Sequence, residues 1–158
     1  MIRIWRLARA RSSALDGKGA QIFGGRWNHR GTAIVYTSAT LSLAAMELLV
    51  HLDDEDGAKD YVGVSAEIPD SAGIGRVRAT DLPRDWRAYP PPQALADLGS
   101  RWAAARESAV LAVPSAIFPQ ELNYLLNPLH PHFKRIHIGR PEPFSFDPRL
   151  RKRQRGPP

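Results

Sequence analysis

Residues 24–51, GGRWNHRGTAIVYTSATLSLAAMELLVH, set a glycine turn, a cation, a short apolar strand and a carboxylate-bearing helix in one unbroken run. Gly24 and Gly25 leave the backbone free to take positive φ, which predicts a sharp turn and a close approach to a ligand just before Arg26. Arg26 offers a planar fork of donors suited to phosphate or carboxylate, and Trp27 beside it offers an aromatic face; the pair suits an anionic, heterocyclic ligand. After the polar turn Asn28–Gly31, the run Ala33–Tyr36 is short, β-branched and aromatic, and predicts a strand. Ser38 or Thr40 then caps a helix over Leu41–Leu52 that is apolar on nearly every side. Glu47 is the only acid in that helix. Burying an unpaired carboxylate costs several kcal/mol, so Glu47 must be paired, protonated or turned to a cleft. The plain alternative is a structural ion pair with Arg26 or a contact with His51 one turn on.

The chain has 158 residues, one domain's worth, with a core large enough to need no staples. It has no cysteine, which excludes disulfides, thiolate metal sites and a cysteine nucleophile and is compatible with a reducing cytoplasm. The opening MIRIWRLARARSS is basic without an apolar run of signal-peptide length, and no stretch reaches the ~20 apolar residues of a membrane span. The expectation is a soluble cytoplasmic protein. Lys and Arg outnumber Asp and Glu, 22 against 16, for a net charge of +6. Such a balance suits nucleic acid, a phosphorylated substrate or an acidic partner. Part of the excess is terminal, in Arg3, Arg6, Arg9 and Arg11 at one end and Arg149–Arg155 at the other. Residues 1–150 read as the domain and 151–158, RKRQRGPP, as a solvated basic tail.

In order, Ile2–Trp5 alternates and predicts a first strand with Arg6 at its end, followed over Ala8–Phe23 by a loop, with or without a short helical turn, leading into Gly24. Asp53–Gly57 reads as a solvated acidic turn. Tyr61–Ile68 puts Val62, Val64, Ala66 and Ile68 on one side of a half-buried strand stopped by Pro69. Gly73–Val77 is a further short strand, and Pro83–Pro92 a proline-rich connection. Ala94–Glu107 has the spacing of an amphipathic helix weakened at Gly99. Val110–Val113 is again strand-like, and places Ser115 at a sheet edge, where ligands commonly sit. Pro119–Pro128 reads as a turn-rich segment holding Asn123 and Tyr124. Phe133–Ile138 and Phe144–Phe146 read as closing strands.

His130, His132 and His137 invite a metal reading, but no carboxylate or thiolate of suitable spacing accompanies them, and turn chemistry explains His130-Pro131-His132 equally. Ser115 lies in VPSAI, not in a G-x-S-x-G elbow, which argues against a nucleophile and for a hydrogen-bond donor to substrate or a cap. No dinucleotide fingerprint or Walker lysine loop is present. Tyr36 is a core residue or a stacking platform.

Laid out in this way, the chain resembles the RES-domain toxins, which are named for Arg, Glu and Ser and are usually encoded beside an Xre-type antitoxin. The blocks that carry the resemblance are Trp5-Arg6, GGRWNHRGTAIVYTS, SLAAMELLVH, VPSAIFPQELNYLLNP, HPHF and FDPRL, in that order. The resemblance implies an α/β (α+β) fold like that of ADP-ribosyltransferase toxins, with a split, twisted β-sheet, flanking helices and a cleft for NAD. It also implies cleavage of the nicotinamide–ribose bond by phosphorolysis or hydrolysis, with NAD+ as substrate, inorganic phosphate as a co-substrate and no metal; some members ADP-ribosylate a protein instead. By position, Arg26, Glu47 and Ser115 match the name-giving catalytic residues, and Arg6, Tyr36 and Asn123 align with further pocket positions beside Trp27. His29-Arg30 stands where many relatives carry Pro-Lys. The implied partners are an Xre-type antitoxin that blocks the cleft near Arg26 or Glu47 and further copies of the toxin, with DNA contacted only through the antitoxin and no membrane. The competing class is a basic module that binds nucleic acid through its termini, whose binding would weaken with salt and survive loss of Glu47.

Overall fold

Period-two alternation builds β1 (Ile2–Arg9), which runs on past the expected Trp5 because Leu7 and Ala8 are also buried. It pairs antiparallel along its whole length with β3 (Tyr61–Ile68), from Ile2 opposite Ile68 to Arg9 opposite Tyr61. Val64, Ala66 and Ile68 of β3 enter the core as the alternation predicts. The computed structural model describes residues 1–53 and 60–151, so the acidic turn expected after Asp53 and the basic tail after Arg151 lie outside the described residues.

Between β1 and β3 come α1 (Lys18–Phe23), β2 (Val35–Ser38) and α2 (Leu41–Leu49). The loop expected over Ala8–Phe23 therefore contains a short helix. Thr40, not Ser38, caps α2: its side chain accepts the Leu43 N–H at 3.1 Å from an extended backbone. The rest of the chain adds β4 (Ile74–Arg76), α3 (Gln93–Ala105), β5 (Val110–Pro114), β6 (Leu122–Leu126), β7 (His137–Ile138) and β8 (Glu142–Phe144). β6 corrects the turn-rich reading of Pro119–Pro128. The segment expected as a strand from Phe133 begins instead as a 3-10 turn over Pro131–Arg135, which His130 caps by accepting the His132 N–H at 3.0 Å. That contact gives the two histidines their turn role, and among the described residues no cluster of His, Asp and Glu is arranged for a metal ion.

Among the described residues eight strands form one curled sheet in the order β4-β5-β6-β2-β1-β3-β7, with β8 also on β3, and the β4–β5 pair alone is parallel. The sheet is nearly in two. β1 and β2 share a single registered pair, Trp5 opposite Ser38, and then part. One apolar layer gathers Ile4, Val35, Val64, Val110 and Leu126 on one face. On the other face α3 packs Leu95 and Trp102 against Leu111, Val113 and Leu125. α2 covers β1 with Ala44 and Ala45 beside Leu7 and Tyr61. Each fully buried Leu or Val in these layers contributes about 1.5–3 kcal/mol. No helix among the described residues is long and apolar enough to cross a membrane.

Candidate active site

Strand alternation decides which polar groups meet at the seam. Ser38 is opposite Trp5 on one side and Asn123 on the other, and Asn123 is opposite Val113, so one cross-strand row runs over the parting of the sheet. Directly paired residues touch: Ser38 Oγ donates to Asn123 Oδ1 at 2.7 Å. Ser115 follows β5 at the end of that row, its N–H donating to Glu121 O at 3.0 Å. Above the row lies α2, where Glu47 stands one helical turn after the buried Leu43 and therefore on the same inward face.

Glu47 is met there by two donors. Ser115 Oγ lies 2.7 Å and Asn123 Nδ2 2.6 Å from Glu47 Oε1. The proton directions follow from the neighbours. Ser115 Oγ accepts the N–H groups of Ile117 and Phe118, each at 3.1 Å, so its own hydrogen is left for Glu47. The Asn123 carbonyl takes the Ser38 hydroxyl, so its NH2 faces the acid. Oε2 of Glu47 accepts nothing from the described residues and is not sealed off; Glu47 lines an open cleft of about 1090 Å³. Neither an Arg26 ion pair nor a His51 contact accounts for this acid.

Arg26 borders the same cleft from the glycine turn. Its Nη1 donates to the carbonyls of Trp86 and Ala88, at 2.8 and 3.1 Å. Burial lowers the pKa of the guanidinium and the nearby Glu47 charge raises it, so the two groups sense each other across the opening without contact. Gly24 takes the positive φ of 73° that the sequence predicts. The close approach at Gly25, however, is internal: a Cβ there would sit 2.7 Å from the Tyr36 hydroxyl. That hydroxyl accepts the Trp27 N–H at 2.9 Å and donates to Asn28 Oδ1 at 2.7 Å, and burial raises its pKa. Asn28, fully buried, also donates to the carbonyls of Ala20 and Thr32. Tyr36 and Asn28 thus fix the turn that carries Arg26. His29, at the position where the resemblance leads to proline, ties the turn to α3 through Ser100 (2.9 Å to its N–H) and Asp97 (2.6 Å to its Nε2).

Burial bears on two of the expected site residues. Trp27 is only 2 % exposed and its ring belongs to the second core, where α3 lies so close that a Cβ on Gly99 would fall 1.8 Å from the Trp27 carbonyl oxygen, although Trp27 is also among the residues that line the cleft. Ser115 is 0 % exposed; it caps the turn by accepting the Ile117 and Phe118 N–H groups, as one sequence reading has it, and donates to Glu47. Arg6 lines the cleft where β1 leaves β2; its Nη1 reaches the Tyr36 carbonyl at 3.4 Å and its buried Nε has no partner. Burial lowers its pKa and Asp16 raises it. Sequence reasoning missed Ser38 as the residue that orients Asn123, Asn28 as the hub of the turn, and Arg87, which also borders the cleft.

The split, curled sheet with a carboxylate held at the split and arginines bordering the same cleft is the ADP-ribosyltransferase-like arrangement that the resemblance implies. A family model described as RES domain matches residues 3–147. The chain is 40 % identical over 141 residues to a protein named Toxin Res from Yersinia enterocolitica, covering 89 % of this chain and 92 % of that one. It is likewise 40 % identical over 152 residues to a Prs ADP-ribosylating toxin from Sphingobium sp. (strain YBL2), covering 92 % and 94 %. Among solved structures it superposes on a chain of the M. tuberculosis MbcT–MbcA toxin–antitoxin complex with a TM-score of 0.74 at 16 % identity, covering 91 % and 84 %. The chain belongs to the RES-domain toxin family.

Proposed function

We propose that this protein is the toxin of a toxin–antitoxin pair and acts by breaking the bond between nicotinamide and ribose in NAD+. The observation that carries this reading is the half-used carboxylate of Glu47: Oε1 is held by Ser115 and Asn123 while Oε2 is left to the cleft. As the C1′–N bond lengthens, its electron pair leaves with nicotinamide and positive charge builds on the ribosyl carbon. A fixed carboxylate stabilises that oxocarbenium-like state, and because its orientation is already set no reorganisation is required. With water as acceptor, Glu47 takes its proton; an inorganic phosphate dianion attacks without giving one up. Arg6 and Arg26 retain unused donors for pyrophosphate or phosphate, and the Tyr36 ring forms a wall of the same cleft.

A second acceptor is a protein side chain, favoured by the Sphingobium relative that carries an ADP-ribosylating name. Incubation of purified protein with NAD+, with and without phosphate, and mass analysis of the products separates the three: ADP-ribose-1″-phosphate, free ADP-ribose, or a label retained on protein. Unchanged NAD+ in all arms defeats the reading. The partner is an antitoxin of the Xre type that covers the cleft. Exposed Ile22, Phe23, Val50 and Tyr89 around the mouth give such a protein an apolar footing. Growth arrest on expression of this chain alone, relieved by the co-expressed antitoxin, is the expected result.

A further inference from the structure

The proline-rich strap that leads into α3, residues 83–92, is held from two directions. Arg26 reaches into it and takes the carbonyls of Trp86 and Ala88. Arg87, the residue between those carbonyls, reaches out: its Nε donates to Ala116 O at 2.8 Å and its Nη2 to Ile117 O at 3.3 Å. Those two carbonyls belong to the peptide groups whose N–H ends, on Ile117 and Phe118, donate to Ser115 Oγ. In a trans peptide the C=O and N–H point in opposite directions, so Arg87 grips the far side of both groups that hold the serine.

We infer that Arg87 is a positioning residue that acts on Glu47 through peptides 116–118 and Ser115. The fork of Arg87 fixes two peptide planes at once and polarises their N–H groups toward Ser115. With both lone pairs of Ser115 Oγ taken, its hydrogen has one direction left, to Glu47 Oε1. The same strap, anchored by the buried Trp86, fixes Nη1 of Arg26. One segment thereby sets the orientation of both the cation and the acid, and the catalytic part of this inference rests on the NAD+ reading above.

The test combines rates and amide exchange on the full chain. Arg87→Ala is expected to lower kcat for NAD+ loss about tenfold with KM nearly unchanged, and Arg87→Lys, which reaches one carbonyl but lacks the fork, to fall between. Arg87→Ala placed on Ser115→Ala should add little further loss, because both act through one hydroxyl. By NMR, the amide hydrogens of Ile117 and Phe118 should exchange about tenfold faster in Arg87→Ala while those of Leu111 and Val113 stay as they were. A rise in KM alone would mean that Arg87 touches substrate and overturns the inference; so would additive rate losses with unaltered amides. Should wild-type protein leave NAD+ intact, the NAD+ reading falls, and the amide measurement still decides whether Arg87 holds the serine. If Arg87→Ala does not fold, Arg87→Lys carries the same measurements.

Discussion

The two walls of the cleft are built to different standards. On the β5–β6–β2 side the partners form a fixed chain: Ser38 orients Asn123, Asn123 and Ser115 hold Oε1 of Glu47, and two backbone N–H groups orient Ser115. On the β1 side Arg6 has one long contact at 3.4 Å and a buried Nε with no partner. A satisfied network gives rigidity, and an unsatisfied donor is a cost the fold carries until something accepts from it. On the proposed reading this is a division of labour: one wall would hold the reacting geometry, and the other would keep its hydrogen-bonding capacity for NAD+.

Glu47→Gln tests the held wall most severely. It keeps size and hydrogen bonding but removes the charge, so turnover of NAD+ should fall about a thousandfold while calorimetric affinity for NAD+ changes little. Substantial residual turnover would reduce that wall to scaffolding. Arg6→Met tests the other wall. Loss of a charge-assisted donor pair should weaken NAD+ binding by about ten- to a hundredfold, yet the thermal midpoint should hold or rise, because a poorly partnered cation has left the interior. A lower midpoint would show that Arg6 belongs with the structural groups.

Gly99→Ala asks whether the turn carrying Arg26 depends on its backing. The added methyl has no room against the Trp27 carbonyl, so the urea midpoint should drop by an amount equivalent to about 1–3 kcal/mol. Arg3→Ala is the smallest change and a control on a residue that does not line the cleft. The Arg3 hydrogen bond, at 2.7 Å, holds the Glu67 carboxyl below its usual range, so its stabilising effect is present above the unfolded-state pKa and is lost as pH falls through the lower folded value. Its NMR titration midpoint should rise in the variant, with the NAD+ reaction unaffected.

Much of this arrangement is legible in the chain. A lone acid in an apolar helix and a cation after paired glycines point to the cleft, and strict alternation gives β3 its observed bounds. What escapes are facts that depend on distant packing. LNYLL of β6 is apolar at every position but Asn123, lacks alternation and lies between prolines, so it reads as a turn although it is an interior strand, between β5 and β2, that brings Asn123 to the acid. Trp27 looks like a platform until α3 is placed against it at Gly99. Ser115 looks like a substrate donor until the acid 68 residues earlier is seen to take its hydrogen. Gly99 itself looks like a flaw in a helix, whereas it is the site where a main chain must fit.

The joint between Trp5 and Ser38 is one rung wide. In the ladder, that rung alone joins the half-sheet of β1, β3, β7 and β8 to the half-sheet of β2, β4, β5 and β6, and the apolar layer of Ile4, Val35, Val64 and Leu126 packs across the joint on one face. A molecule lodged with one end on Arg6 and the other beside Asn123 would brace the gap, and its arrival should stiffen strands such as β8 that it never touches.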